Sequence, residues 1–200
     1  MRRSFTPRIL VFAGSTRTGA YSGKVADAAT KELALQGADV TRISLADYPL
    51  PIMNEDLEKE QGVPENAVKL ARLFVEHDAI LIATPEYNGS MPPLLKNTID
   101  WISRVRKEHG VPQRPLPGKV AAICSSSEGH FAGIRSAAHL RAVLAHIQMD
   151  VIAPQVSVPN AGGAFEADGN FREERLRNSM TRLCEALVER AAALSTRAEV

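Results

Sequence analysis

Cysteine is nearly absent: the 200 residues hold only Cys124 and Cys184. Two thiols so far apart make neither a disulfide framework nor a zinc-binding spacing, which fits a reducing cytoplasm. An excess of charge is missing as well. The formal net charge is +1, so nothing electrostatic points to nucleic acid or an anionic membrane as partner. Apolar runs fall well short of the ~20 residues that span a bilayer. The basic opening MRRSFTPR leads into only about six apolar residues, which predicts a short solvated tail rather than a secretory signal. Repeats and low-complexity segments are lacking. With 44% hydrophobic and 24% charged residues, the chain is expected to fold as one soluble domain over 1–200, with 1–7 and 196–200 as tails.

Several kinds of chemistry are excluded by missing motifs. The five histidines, His77, His109, His130, His139 and His146, contain no HExxH pair. His139 and His146 share a helix face two turns apart, too far for one metal without further ligands. No metal site is expected, and only His130 lies in a loop suited to touching a substrate. No triad or nucleophile–base dyad is evident. In a Walker loop, Gly14 and Gly19 have the right separation but Ala20 stands where Lys is needed, and the later Gly19 to Gly23-Lys24 interval is one residue too short. Ser15 and Thr16 after Gly14 break the G-x-G-x-x-G dinucleotide fingerprint.

What is present is a regular alternation. Near-continuous apolar runs occur at 8–14 (RILVFAG), 38–45 (ADVTRISL), 79–84 (AILIAT), 119–126 (KVAAICSS) and 150–158 (DVIAPQVSV), as expected of strands covered on both faces. Helical stripes lie between and after them: Val25/Ala28/Ala29/Leu33, Ala67/Leu70/Ala71/Phe74, Leu94/Leu95/Thr98/Ile99/Trp101/Ile102/Val105, Ile134/Ala137/Ala138/Val143/Leu144/Ile147 and Leu176/Met180/Leu183/Cys184/Leu187/Ala191. Five such alternations predict an α/β, three-layer, doubly wound parallel sheet of five strands with order 2-1-3-4-5. Ligands of such sheets bind beyond the carboxyl ends of the strands, where strand order reverses. The loops after strands 1, 3 and 4 would then meet, while the YPLPIMNED stretch after strand 2 reads as a structural excursion.

The first of these loops, GSTRTGAYSGK (14–24), suits an anion cradle. Gly14 allows a tight turn, Ser15, Thr16 and Ser22 bring hydroxyls, and the following helix offers free N–H groups. Arg17 can add a charge-assisted contact. A Ser/Gly-rich turn that merely caps a helix satisfies the same stretch. The second loop, PEYNGSMPP (85–93), is stiffened by Pro85, Pro92 and Pro93. It can present Tyr87 and Asn88 as an aromatic face beside an amide, which suits a planar heterocycle.

Three passages resemble the NADPH-dependent FMN reductases of the flavodoxin-like superfamily, which include soluble quinone, azo-dye and chromate reductases. GSTRTGAYS is similar to that family's G-S-x-R-x-x-S loop at Gly14, Ser15 and Arg17, with Ser22 after a longer spacer. PEYNGSMPPLLKNTIDWISR is similar almost throughout to P-E-Y-N-x-S-x-P-x-x-L-K-N-A-I-D-W. SSSEGHFAGIR resembles S-x-G-x-x-G-G-x-R, with Ala132 where the first of the paired glycines is common. The resemblance implies a flavodoxin-like fold, FMN as cofactor and NADPH or NADH as co-substrate. Hydride would pass from nicotinamide to flavin, and electrons then to a small-molecule acceptor such as a quinone, azo compound, metal oxyanion or free flavin. A flavodoxin-type electron carrier is the alternative. By the same resemblance Ser15, Arg17 and Ser22 hold the phosphate, beside Gly14 and Thr16 of the cradle; Lys24 departs from the family, which often has Asn there, and can serve as a point charge toward the phosphate or point to solvent. Pro85, Glu86, Tyr87 and Asn88 line the ribityl chain and ring, and Ser125, Ser127 and Gly129 approach the ring from the other side. A cytoplasmic homodimer or homotetramer is implied, with no catalytic side chain required because the flavin carries the chemistry.

Overall fold

A computed structural model describes residues 5–108 and 110–195; the expected C-terminal tail, the first four residues of the N-terminal tail and His109 lie outside them. The element order is β1 (Arg8–Ala13), α1 (Tyr21–Leu35), β2 (Asp39–Ile43), α2 (Glu55–Gln61), α3 (Glu65–Glu76), β3 (Ala79–Pro85), α4 (Pro93–Arg104), β4 (Lys107–Glu108), β5 (Val111–Pro112), β6 (Val120–Ser126), α5 (Ile134–His146), β7 (Asp150–Val158) and α6 (Glu174–Leu194). Five parallel strands form one sheet in the order β2-β1-β3-β6-β7. This is the expected doubly wound order, with one addition: β4 and β5 make a separate two-residue hairpin, too short to carry a periodic signal.

Alternation along the central strands builds two cores. Ile9, Val11, Leu81 and Ala122 face α1 and α6. Leu10, Phe12, Ile82 and Ile123 face α3, α4 and α5. Because both faces are covered, β3 and β6 are buried almost throughout, which is why their sequences read as continuous apolar runs.

The excursion after β2 is tied down by α4. Asn97 Oδ1 accepts from Met53 N at 2.8 Å, Asn97 Nδ2 donates to Pro51 O at 2.9 Å, and Trp101 Nε1 donates to the same carbonyl at 2.7 Å. Trp101 is thereby a fully buried core residue. Glu58 of α2 pairs with Arg104 of α4 at 2.7 Å. His77 is buried, its Nδ1 donating to Leu73 O at 2.7 Å and its Nε2 accepting from Thr41 Oγ1 at 2.8 Å. Burial lowers its pKa and keeps the ring neutral. Cys124 is buried too, its thiol pushed up to about 12.

Candidate functional site

The sheet reverses its winding between β1 and β3, and Gly14 joins the two there, its N–H donating to Ala83 O at 2.8 Å. A Cβ on Gly14 would lie 3.2 Å from Leu95 and 3.3 Å from Pro85 and Pro92. The glycine thus lets the second loop and α4 close directly behind the first loop; it supports the site from below. From it the chain runs to Tyr21, where α1 starts. The position before the helix is Ala20, and no side chain caps the first turn. The first N–H groups of a helix have no intrahelical partner, so this terminus favours an anion.

A cleft of about 280 Å³ opens above it. Ser15, Arg17 and Ser22 line it from the first loop, Pro85, Glu86 and Tyr87 from the second, and Ser127 from the third. Seven of the residues expected from sequence therefore meet. The other expected residues stand elsewhere. Gly14 is buried below the cleft, and Thr16 and Gly129 are exposed beside it. Lys24 turns outward over the Phe165 ring.

Asn88 does not face the cleft; it occupies the corner of a tight turn. Asn88 has φ +50° and Gly89 φ +77°, and Tyr87 and Ser90 exchange N–H to carbonyl bonds of 2.9 and 3.1 Å across them. Two consecutive positive φ values explain the Asn-Gly pair without a ligand. Ser125 is likewise committed to structure: its hydroxyl, fully buried, donates to Ala132 O at 2.8 Å and lies 2.9 Å from Ser157 Oγ.

Its neighbour Ser126, not singled out in the sequence, lines the cleft. The hydroxyls of Ser22 and Ser126 are both buried without a hydrogen-bond partner, two of the three such side-chain atoms among the described residues. An orphaned buried hydroxyl costs about 1–3 kcal/mol, so a pair lining one cleft favours an occupant with polar groups. Volume alone does not select this cleft, since one of about 320 Å³ opens near Val105, Leu116 and Ile147. Ala20, Tyr21 and Glu128 complete the lining. These three carry no signal in their own local sequence, because tertiary folding brings them together.

Glu86 locks the second loop to the start of α5. Its side chain is 7% exposed and receives the Arg135 guanidinium at 2.5 Å. It also accepts from the N–H groups of Arg135 and Ser136, at 3.2 and 3.4 Å, and so caps α5 from a distance. Burial raises its pKa, but the Arg135 side chain and these N–H groups outweigh it and hold the carboxyl below its ordinary value. Glu86 is thus a fixed anion bound to structure.

The geometry defines a flavodoxin-like protein with an anion cradle at its switch point and a polar cleft beside it. The sequence pattern of the NADPH-dependent FMN reductases matches residues 7–163. An NAD(P)H-dependent FMN reductase of Pseudomonas aeruginosa is 35% identical over 182 residues, covering 90% of this chain and 92% of that one. A quinone reductase of Escherichia coli is 37% identical over 146 residues, covering 72% and 73%. Among solved structures, the flavoenzyme NAD(P)H:(acceptor) oxidoreductase FerB of Paracoccus denitrificans superimposes with a TM-score of 0.78 at 26% identity, over 94% of this chain and 98% of that one. The chain belongs to the NADPH-dependent FMN reductase family and is an oxidoreductase that uses FMN with NAD(P)H. The cleft fits that cofactor in kind: an uncapped helix terminus and Arg17 for a phosphate, and orphaned hydroxyls for further polar groups.

Proposed function

We propose that this protein is a cytoplasmic, homo-oligomeric quinone reductase whose single domain binds FMN in the cleft between the first, second and third loops. The name of its Escherichia coli relative, a quinone reductase, supports a quinone as acceptor. The observation that carries the placement is the pair of buried, partnerless hydroxyls, Ser22 and Ser126, opening on one cleft beside the uncapped start of α1.

In this reading the flavin phosphate lies on the first turn of α1, with Ser15, Ser22 and Arg17 donating to it. Pro85 and Tyr87 flank the ring, and Ser126 and Ser127 face its polar edge. When bound, FMN supplies the redox chemistry, taking a hydride from NAD(P)H and delivering electrons to the acceptor. The chain's share is orientation. Tyr87 is held by the Asn88-Gly89 turn, and that turn is held to α5 by Glu86 and by the Ser90 Oγ to His139 Nδ1 contact of 2.9 Å. Tyr87 remains 47% exposed, leaving the ring side of the cleft open to a planar second substrate. Among the described residues no helix is long and apolar enough to cross a membrane.

The test is FMN retention and NADPH-driven benzoquinone reduction in Arg17→Ala and Ser126→Ala. Both variants are expected to lose flavin during purification and to recover turnover on adding FMN. Undiminished flavin in both would overturn the placement.

A further inference from the structure

Tyr21, the first residue of α1, joins the phosphate cradle to a distant loop. Arg17 Cζ lies 5.7 Å from the centre of its ring and Lys24 Nζ 5.9 Å from it, both within cation–π range. Its hydroxyl lies toward the Glu128 carboxylate of the third loop, which raises the phenol pKa above the ordinary value. Glu128 Oε2 in turn accepts from Gly162 N at 3.3 Å. Gly162 belongs to the segment between β7 and α6, whose Phe165 and Phe171 rings pack at 4.9 Å and enter the core beneath α1. Lys24 Nζ also lies 5.9 Å from the Phe165 ring. A Cβ on Gly162 would come within 3.0 Å of Glu128 and 3.2 Å of the Tyr21 hydroxyl, so the three groups are packed closely together.

Arg17 needs such support. It is exposed, and among the described residues its guanidinium makes only one long hydrogen bond, 3.5 Å to Thr18 O. A free arginine must lose its rotamer freedom when it grips a phosphate, and that loss subtracts from affinity. A guanidinium already resting on an anchored ring loses less.

We propose that Tyr21 is the positioning residue that gives this site its preference for phosphorylated over unphosphorylated flavin, by holding Arg17 over the start of α1 from an anchorage on Glu128 and Gly162. This rests on the reading that the flavin phosphate lies there. Tyr21 itself need not touch the cofactor. A residue that merely packs would affect FMN and riboflavin alike; a residue acting through Arg17 affects only the ligand with a phosphate.

The test is the ratio of FMN to riboflavin dissociation constants, from quenching of flavin fluorescence on titration with apoprotein. It is measured for the natural protein and for Arg17→Ala, Tyr21→Leu, Tyr21→Phe and Gly162→Ala. Tyr21→Leu is expected to weaken FMN binding roughly three- to tenfold while riboflavin stays within about twofold. Tyr21→Phe, which keeps the ring, recovers part of the preference. Gly162→Ala, which displaces the Tyr21 hydroxyl and leaves the ring in place, lowers it and provides the reading should Tyr21→Leu fail to fold. Equal weakening of both ligands by Tyr21→Leu, or an unchanged ratio in Tyr21→Leu and Gly162→Ala, would overturn the proposal. Arg17→Ala separates the two levels. If it leaves the ratio unchanged, the phosphate placement fails; if it collapses the ratio while Tyr21→Leu does not, only the role of Tyr21 fails.

Discussion

Glu86 and Arg135 form an ion pair 2.5 Å long between the loop that follows β3 and the start of α5, and the same carboxylate closes the first turn of that helix. Glu86→Gln keeps the shape and removes the charge, and is expected to lower stability by about 1–3 kcal/mol at neutral pH, read by urea denaturation. The pH dependence has a definite sign. The folded-state pKa lies below the ordinary 4.5. The carboxylate's contribution is therefore complete above that value and is lost as pH falls through the lower, folded one. The variant should show a flatter loss of stability on that acid limb, and an identical limb would contradict the clamp.

Ala132 stands at φ +53°, a left-handed conformation that costs a residue with a Cβ about 1–2 kcal/mol. Glycine pays no such strain but loses more chain entropy on folding. Ala132→Gly is thus expected to raise stability by roughly 0.5–1 kcal/mol net, seen as a higher denaturation midpoint with an unchanged slope. A lower midpoint would show that the methyl group packs more favourably than its backbone is strained.

Neighbouring serines should respond in opposite ways. Ser125→Ala removes a buried hydroxyl that makes two hydrogen bonds and is expected to cost about 1–3 kcal/mol. Ser126→Ala removes an orphaned one, so the apoprotein should be as stable as the natural chain or more so by up to about 1 kcal/mol. FMN binding should weaken severalfold in Ser126→Ala alone. Thermal melts with and without FMN give both readings, and equal effects of the two changes would contradict the assignment.

Asn88→Gly tests whether the asparagine serves the turn or the cofactor. Glycine tolerates the positive φ, so FMN affinity is expected to stay within about twofold if the turn alone matters. Asn88→Val, strained at φ +50°, should disturb the loop and weaken binding. A loss of affinity in Asn88→Gly comparable to that in Asn88→Val would place the amide against the ligand.

These positions also mark where the sequence was readable. The five strands could be seen because a parallel sheet covered on both faces needs nearly continuous Val, Ile, Leu and Ala, as in Ala79–Pro85 and Val120–Ser126. Strand order then brought three loops to one switch point, and seven expected residues do line the cleft. Ser125 and Ser126 could not be told apart, since both lie in a buried strand and only the packing of the third loop decides which hydroxyl is consumed. Asn88-Gly89 is a dipeptide that favours tight turns, but its amide was expected against a ligand. Tyr21 and Glu128 meet through a loop more than thirty residues further on, at Gly162, and no local pattern records that contact.

The most direct test of the account is the visible absorption of the protein reconstituted with FMN, followed without oxygen as NADPH and then benzoquinone are added. Flavin bands that bleach with one equivalent of NADPH and return with one equivalent of quinone are the predicted result, because a two-electron carrier exchanges one hydride with each substrate. A protein that takes up no FMN, or whose bound flavin is not bleached by NADPH or NADH, would contradict it.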